Sequence, residues 1–122
     1  MPPPPTDTAT SPVNSPGSMQ QRTGLSPGDL QTIVQAVQSV PQVRQLLLFG
    51  SRAKGSYKPG SDVDLAIKGE NITYDITVQL ASTLNQTLRL PYFFDVLDYH
   101  SIAEPKLLEH IDRVGLALFD AG

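Results

Sequence analysis

The 122-residue chain has no cysteine, no tryptophan and only two histidines. Because a disulfide and a thiolate metal site both need cysteine sulfur, the sequence excludes both. The two histidines, His100 and His110, are too few for a zinc cage, and we expect both to lie at the surface. A chain without cysteine is compatible with a reducing compartment, and we expect a cytoplasmic protein.

Basic residues are also scarce. Nine Lys and Arg stand against 12 Asp and Glu, which gives a net charge of −3 and an isoelectric point of about 5.1. Long nucleic acids are held mainly by basic surfaces, so we expect no extended nucleic-acid binding. The chain has neither an apolar run as long as a membrane span nor a basic N-terminal segment followed by an apolar core, so we expect no membrane association.

Proline is concentrated in one segment, since residues 1–18 contain six of the 11 prolines and no aromatic residue. A segment of this composition cannot bury enough apolar surface to offset the entropy that it loses on ordering. We therefore expect residues 1–25 to be disordered and residues 26–122 to form one small domain.

Within this domain the sequence predicts helices and strands in an α+β order. Ser26, followed by Pro27 and Asp29, has the pattern of a helix start, and apolar residues then recur at helical spacing until Pro41. The elements predicted after this helix are strands at 45–49 and 62–68, a helix from Ile76 to Leu88, a strand at 92–98, a helix at 105–113 and an edge strand at 116–119.

The segment from Gly50 to Asp64 is the most informative part of the chain. Gly50 lets a ligand approach the end of the buried strand 45–49, and the hydroxyl and N–H groups at Ser51 suit phosphate oxygens. Ten residues further on, Asp62 and Asp64 begin the next strand, and the strand period places both carboxylates on one face, about 6.6 Å apart. A divalent cation, Mg²⁺ or Mn²⁺, would relieve their repulsion. Either motif alone is more often an ordinary turn, but together they predict a phosphate site beside a metal site.

The loop between these motifs carries Arg52, Lys54 and Lys58, so three of the nine basic residues lie within seven positions. On an acidic protein this concentration favours a polyanionic ligand such as a triphosphate. Each of the three could instead be a solvated surface charge.

A third acid, Asp95, lies inside the apolar predicted strand 92–98, where an unpaired carboxylate would be costly to bury. Its residue context alone is compatible with a half-exposed strand residue paired to a base. Asp98 is the competitor, but a spacing of three places it on the opposite strand face, so at most one of the two points into the site. Tyr57 and Tyr92 could contact a base, although packing is the more common role for such residues.

Gly50-Ser51, ten intervening residues and Asp62-Val63-Asp64 resemble the signature of the polymerase-beta-like nucleotidyltransferases. The stretches Leu-Phe-Gly-Ser-Arg-Ala-Lys-Gly and Ser-Asp-Val-Asp-Leu-Ala are similar to those of the minimal nucleotidyltransferases, called MNT, over about residues 30–119. The resemblance implies a small mixed sheet flanked by helices, with ATP as the donor and two Mg²⁺ ions about 4 Å apart. The catalytic and metal-binding residues that it implies are Asp62, Asp64 and Asp95, and the implied nucleotide-binding residues are Gly50, Ser51, Arg52, Lys54 and Ser61.

The same resemblance implies nucleotidyl transfer, in which a hydroxyl attacks the α-phosphorus of ATP and pyrophosphate leaves. Small enzymes of this kind resemble MntA-type antitoxins paired with HEPN ribonuclease toxins, so the expected acceptor is a hydroxyl, in particular a tyrosine, of such a toxin. An antitoxin could instead act by covering its toxin, although a pure binder has no need of these acids. Transfer to a small molecule or to RNA is a further alternative, but such relatives usually carry an additional substrate domain.

Overall fold

The computed structural model describes residues 21–121. Its regular elements are, in chain order, α1 (Pro27–Gln38), β1 (Val43–Phe49), α2 (Gly50–Lys54), β2 (Val63–Gly69), α3 (Tyr74–Ser82), β3 (Phe94–Asp98), α4 (Pro105–Val114) and β4 (Leu116–Asp120). A π-helical turn at Thr83–Thr87 continues α3, and a 3₁₀ turn at Tyr99–Ser101 follows β3.

The strands form one sheet in the order β3-β2-β1-β4. β1 pairs antiparallel with both β2 and β4, whereas β2 and β3 are parallel. The predicted α+β fold with a small mixed sheet and flanking helices is therefore confirmed. β3 is an edge strand, and this position matters for Asp95, one of the two acids that it carries.

β1 is buried on both faces, as its continuous apolar sequence predicts. Leu46 and Leu48 join the larger core cluster with residues of α1 and α3, whereas Leu47 and Phe49 pack with Ile111 of α4. The strand period of two assigns alternate residues to the two layers. α4 consequently lies on the sheet face opposite to α1 and α3.

α1 begins as the sequence predicts. The Ser26 hydroxyl accepts a hydrogen bond from the Asp29 N–H at 3.1 Å, and Pro27 follows at the first helical position. The helix ends at Gln38, before Pro41 is reached. The third strand, β3, is shorter than predicted, because it begins at Phe94 and not at residue 92.

The helix predicted from Ile76 to Leu88 is wrong in its last part. After Ser82 the backbone widens into a π-helical turn that is closed by the bond from Leu88 N–H to the Thr83 carbonyl, at 3.0 Å. A spacing of four residues exceeds the 3.6 of an α-helix, so the apolar stripe drifts unless the helix widens. The turn keeps Leu84 fully buried.

Packing extends to the N-terminal side of Ser26. Residues 21–23 are helical, and both Thr23 and Leu25 are fully buried. The predicted disorder of residues 1–25 therefore does not apply to this last part, whereas residues 1–20 lie outside the described residues. Within residues 21–121, no helix is long and apolar enough to cross a membrane.

Candidate active site

The turn from Phe49 to Ser51, called here the glycine turn, joins β1 to α2. Gly50 has a φ of 78°, a conformation that side chains other than glycine rarely adopt. Phe49 pairs with Asp64 across the antiparallel ladder, so the following residue passes directly over the Asp64 carboxylate. A β-carbon at Gly50 would collide with Asp64 Oδ2. Glycine is therefore required here both by the backbone conformation and by the close approach to the acid.

Two acids on neighbouring strands face the same site. Asp64 and Asp95 are direct partners in the parallel register of β2 and β3, and Asp62 lies two residues before Asp64. Burial raises the pKa of the Asp64 carboxyl above its ordinary value, and the charges of Asp95 and then Asp62 raise that pKa further. The Asp64 carboxylate thus lies close enough to Asp95 and to Asp62 to be repelled by both, whereas the sequence predicts only the repulsion between Asp62 and Asp64.

Asp95 escapes the burial cost that its sequence context suggests. The side chain is exposed because β3 is an edge strand, while its neighbours Phe94 and Val96 are buried on the other face. Asp98 has a different, structural role. Its carboxylate accepts hydrogen bonds from the His100 N–H at 3.2 Å and the Ser101 hydroxyl at 2.9 Å, and so caps the 3₁₀ turn.

The acids do not form a preassembled metal centre. Among residues 21–121, no group of three or more His, Asp or Glu is arranged to hold a metal ion. The metal set of Asp62, Asp64 and Asp95 stays a prediction. Mg²⁺ commonly binds through one or two carboxylates together with substrate phosphates and waters. The exposed oxygens of Asp62 and Asp95 beside half-buried Asp64 fit that mode of binding.

Arg52 has structural partners that the sequence does not reveal. It is only 4% exposed, its Nη1 donates to the Thr23 carbonyl at 2.8 Å, and its Nε and Nη2 donate to the Ser61 carbonyl at 3.2 and 3.0 Å. The rings of Tyr57 and Tyr92 both lie 5.1 Å from its guanidinium carbon. The arginine thus ties the loop after α2 to the N-terminal segment. The predicted contact between Arg52 and a triphosphate stays a prediction, beside this structural role.

The remaining predicted nucleotide ligands differ in exposure. The Ser61 hydroxyl oxygen accepts from the Lys58 N–H at 2.8 Å and closes the turn before β2. Lys54 and Lys58 are exposed, and Ser51 is half-buried at the start of α2. The two lysines therefore remain available to an anion, whereas the Ser61 hydroxyl is already hydrogen-bonded within the loop.

His110 joins the site, contrary to the expected surface position. The Gly50 N–H donates to His110 Nε2 at 3.1 Å, and the ring stands edge-on to Phe49 with centroids 6.1 Å apart. The predicted backbone donor at Gly50 is thus already engaged by a side chain of α4. Helical spacing could have indicated this residue, because His110 follows Leu107 by three positions and adjoins Ile111, both of which pack against the sheet.

Comparisons with known proteins identify the family and agree with the fold. The family model described as Polymerase beta, Nucleotidyltransferase matches residues 31–121. A search of curated protein sequences gives no match.

Several solved structures share the fold. A crystal structure described as a toxin-antitoxin with AMP-PNP has a TM-score of 0.65 and 23% identity, over 75% of this chain and 73% of the other. A tri-AMPylated Shewanella oneidensis HEPN toxin in complex with MNT antitoxin gives 0.58 and 22%, over 75% and 69%. The toxin-antitoxin MntA-HepT gives 0.57 and 22%, also over 75% and 69%. At these identities the likeness shows the fold.

Proposed function

Since the chain belongs to the Polymerase beta, Nucleotidyltransferase family and is a nucleotidyltransferase, we propose that it transfers AMP from ATP to a tyrosine hydroxyl of a HEPN-type toxin. The protein would thereby act as the antitoxin of a toxin-antitoxin pair. The observation that carries this proposal is the placement of Asp64 opposite Asp95, with Gly50 packed on the Asp64 carboxylate.

Asp62 and Asp64 are the residues that would hold Mg²⁺, with Asp95 beside them, and bound Mg²⁺ would offset the negative charge of the triphosphate. Their carboxylate oxygens are hard ligands of the kind that this cation prefers. The raised pKa of Asp64, caused first by burial and then by Asp95 and Asp62, reflects a concentration of negative charge that a cation would relieve. Lys54, at the end of α2, and Lys58, in the loop that follows, are exposed and would meet the phosphate charge.

In the proposed reaction the acceptor oxygen forms a bond to the α-phosphorus of ATP, and the bond from that phosphorus to the pyrophosphate oxygen breaks. The hydroxyl proton passes to the Asp95 carboxylate, which is exposed on β3. An acid on an edge strand can be approached by a side chain of another protein. This exposure favours a macromolecular acceptor over a small molecule that would need an enclosing pocket.

The partner is proposed from the complexes that share this fold. One of them contains a HEPN toxin described as tri-AMPylated, and another is a toxin-antitoxin with AMP-PNP. An AMP group adds a negative phosphodiester and a bulky nucleoside. Near an RNA-binding cleft it would repel and obstruct the phosphate backbone that a ribonuclease must bind.

Intact mass spectrometry tests the proposal. A HEPN-type toxin, sought in the reading frame adjacent to that of this chain, is incubated with ATP, Mg²⁺ and a tenfold deficit of the antitoxin, and additions of AMP mass are expected on the toxin together with loss of ribonuclease activity. The triple variant Asp62→Asn/Asp64→Asn/Asp95→Asn should add no mass, whereas Asp98→Asn, which removes one carboxylate outside the predicted site, should still do so.

Two other outcomes would count against AMP transfer to the toxin. Full neutralisation at equal stoichiometry by the triple variant, without any mass change, would favour an antitoxin that covers its toxin. Radiolabel from α-labelled ATP appearing on RNA and not on the toxin would favour an RNA acceptor.

A further inference from the structure

The Gly50 backbone connects the glycine turn with the acidic site and with α4. Its N–H donates to His110 Nε2 at 3.1 Å, and on the other side its Cα lies against the Asp64 carboxylate. Its φ of 78° leaves few alternative conformations that keep both contacts. A displacement of this residue would therefore move the turn before Ser51 and the support of Asp64 together.

The glycine turn does not itself supply a side-chain acceptor for the Gly50 N–H. α2 is only five residues long, and Phe49 before it provides no side-chain cap. The first N–H groups of a helix have no acceptor within the helix, so an acceptor has to come from elsewhere. It comes from His110, which is 60 residues further along the chain.

The imidazole ring is held so that Nε2 points to the turn. It stands edge-on to Phe49 at an interplanar angle of 79°, and the next residue, Ile111, is almost completely buried against the sheet. Because Nε2 accepts the Gly50 N–H, a neutral ring carries its proton on Nδ1. The contact is therefore a directed hydrogen bond and depends on an acceptor atom at the position of Nε2.

We infer that His110 is a positioning residue for nucleotide binding. By accepting the Gly50 N–H it keeps the glycine turn and Asp64 in the arrangement that receives the triphosphate. This inference rests on the proposed function only in that the turn and Asp64 bind the nucleotide. His100 provides the contrast, since it is exposed in the 3₁₀ turn and its backbone N–H bonds to Asp98.

Four variants separate the acceptor atom from the bulk of the ring. His110→Gln can place an amide oxygen near the position of Nε2, whereas His110→Asn carries the same amide on a side chain too short to reach. His110→Leu keeps most of the volume and has no acceptor. His100→Ala is the matched control, because it removes the other histidine of the chain.

Isothermal titration of ATP with Mg²⁺ should give about tenfold weaker binding for His110→Asn and His110→Leu, the effect of roughly one hydrogen bond. His110→Gln and His100→Ala should stay within about twofold of the parent protein. In ¹⁵N–¹H spectra the Gly50 amide resonance should move in the Asn and Leu variants and stay near its original position in the Gln variant. If the Asn and Leu variants do not fold, the Gly50 resonance and the affinity of the Gln variant decide the question.

Several results would overturn the inference. They are equal affinity in all variants, a loss in His110→Gln as large as that in His110→Leu, and a parent protein that binds no nucleotide. Tighter binding by His110→Leu would also overturn it, because His110 would then compete with a phosphate for the Gly50 N–H. AMP transfer to the toxin with all variants alike would leave the proposed function standing alone. Nucleotide binding that depends on His110 but leads to no transfer would leave only the inference standing.

Discussion

Replacing Asp64 with asparagine should stabilise the protein in the absence of nucleotide and metal while abolishing its response to both. The change preserves the shape of the side chain and removes one of the mutually repelling charges. Asp64 sits directly opposite Asp95 on the neighbouring strand, with Asp62 two residues away along its own strand. The amide cannot replace the carboxylate as a strong ligand of a divalent cation.

The size of the effect follows from the position of the pair. Opposite charges directly across neighbouring strands contribute about 0.2–1 kcal/mol and like charges there are destabilising, so we take a cost in the same range for this pair. Because Asp64 is only half-buried and Asp95 is exposed, solvent screening places the expected gain toward the lower half, at about 0.5 kcal/mol. For a domain of about 100 residues this corresponds to a rise in Tm of roughly 2–4 °C.

The gain in stability from Asp64→Asn should depend on pH, and its direction follows from the pKa of Asp64. Burial, then the charge of Asp95 and then that of Asp62 raise the pKa of Asp64 in the folded protein above its ordinary value. The folded state therefore binds a proton more tightly than the unfolded chain, and the free energy of unfolding falls as the pH rises between the ordinary and the raised pKa. The advantage of Asp64→Asn should be complete near neutral pH and should disappear as the pH falls through the raised pKa to the ordinary one.

Thermal and urea unfolding in EDTA, at neutral and at acidic pH, measure this effect. A double-mutant cycle with Asp95→Asn should show coupling, because either substitution alone removes the same repulsion. Asp98→Asn is the control: the same charge change at a capping residue should leave stability unchanged or lower it. Mg²⁺ with ATP should raise the Tm of the parent protein and not that of Asp64→Asn. A less stable Asp64→Asn at neutral pH, or strict additivity in the cycle, would refute the reasoning.

Three further predictions concern single residues. Asp95→Asn should lower the initial rate of AMP incorporation by at least ~10²-fold without unfolding the protein, whereas Asp98→Asn should retain most of the rate; equal losses would show that the wrong acid was chosen. Gly50→Ala should cost about 1–3 kcal/mol in urea unfolding, because it combines a positive φ with a collision against a carboxylate, whereas Gly28→Ala in open space should be neutral or stabilising. Arg52→Lys should cost about 2 kcal/mol, since a lysine cannot reproduce three hydrogen bonds to backbone carbonyls between two aromatic rings; a cost below about 0.5 kcal/mol would contradict the structural role.

The sequence by itself was sufficient for the local features and for the family. The cap at Ser26, the doubly buried strand β1, and the spacing from Gly50 to Asp62 and Asp64 each depend on residues close together in the chain. The strand period is likewise local, and it correctly placed Asp98 away from the face of Asp95. The family model over residues 31–121 confirms the resemblance that these motifs indicate.

Only the tertiary structure decided which side chains complete the site. Arg52 has the sequence position of a phosphate ligand, yet the Thr23 carbonyl and the Tyr92 ring, which belong to segments distant in sequence, also contact its guanidinium. His110 looks like a surface residue until α4 packs on the sheet and brings its Nε2 to the Gly50 N–H. Asp95 is tolerated in an apolar strand because the strand lies at the sheet edge. The contacts of Arg52 and His110 join residues far apart in sequence, and because strand order and helix docking bring these residues together, no local pattern identifies the two partners of each contact.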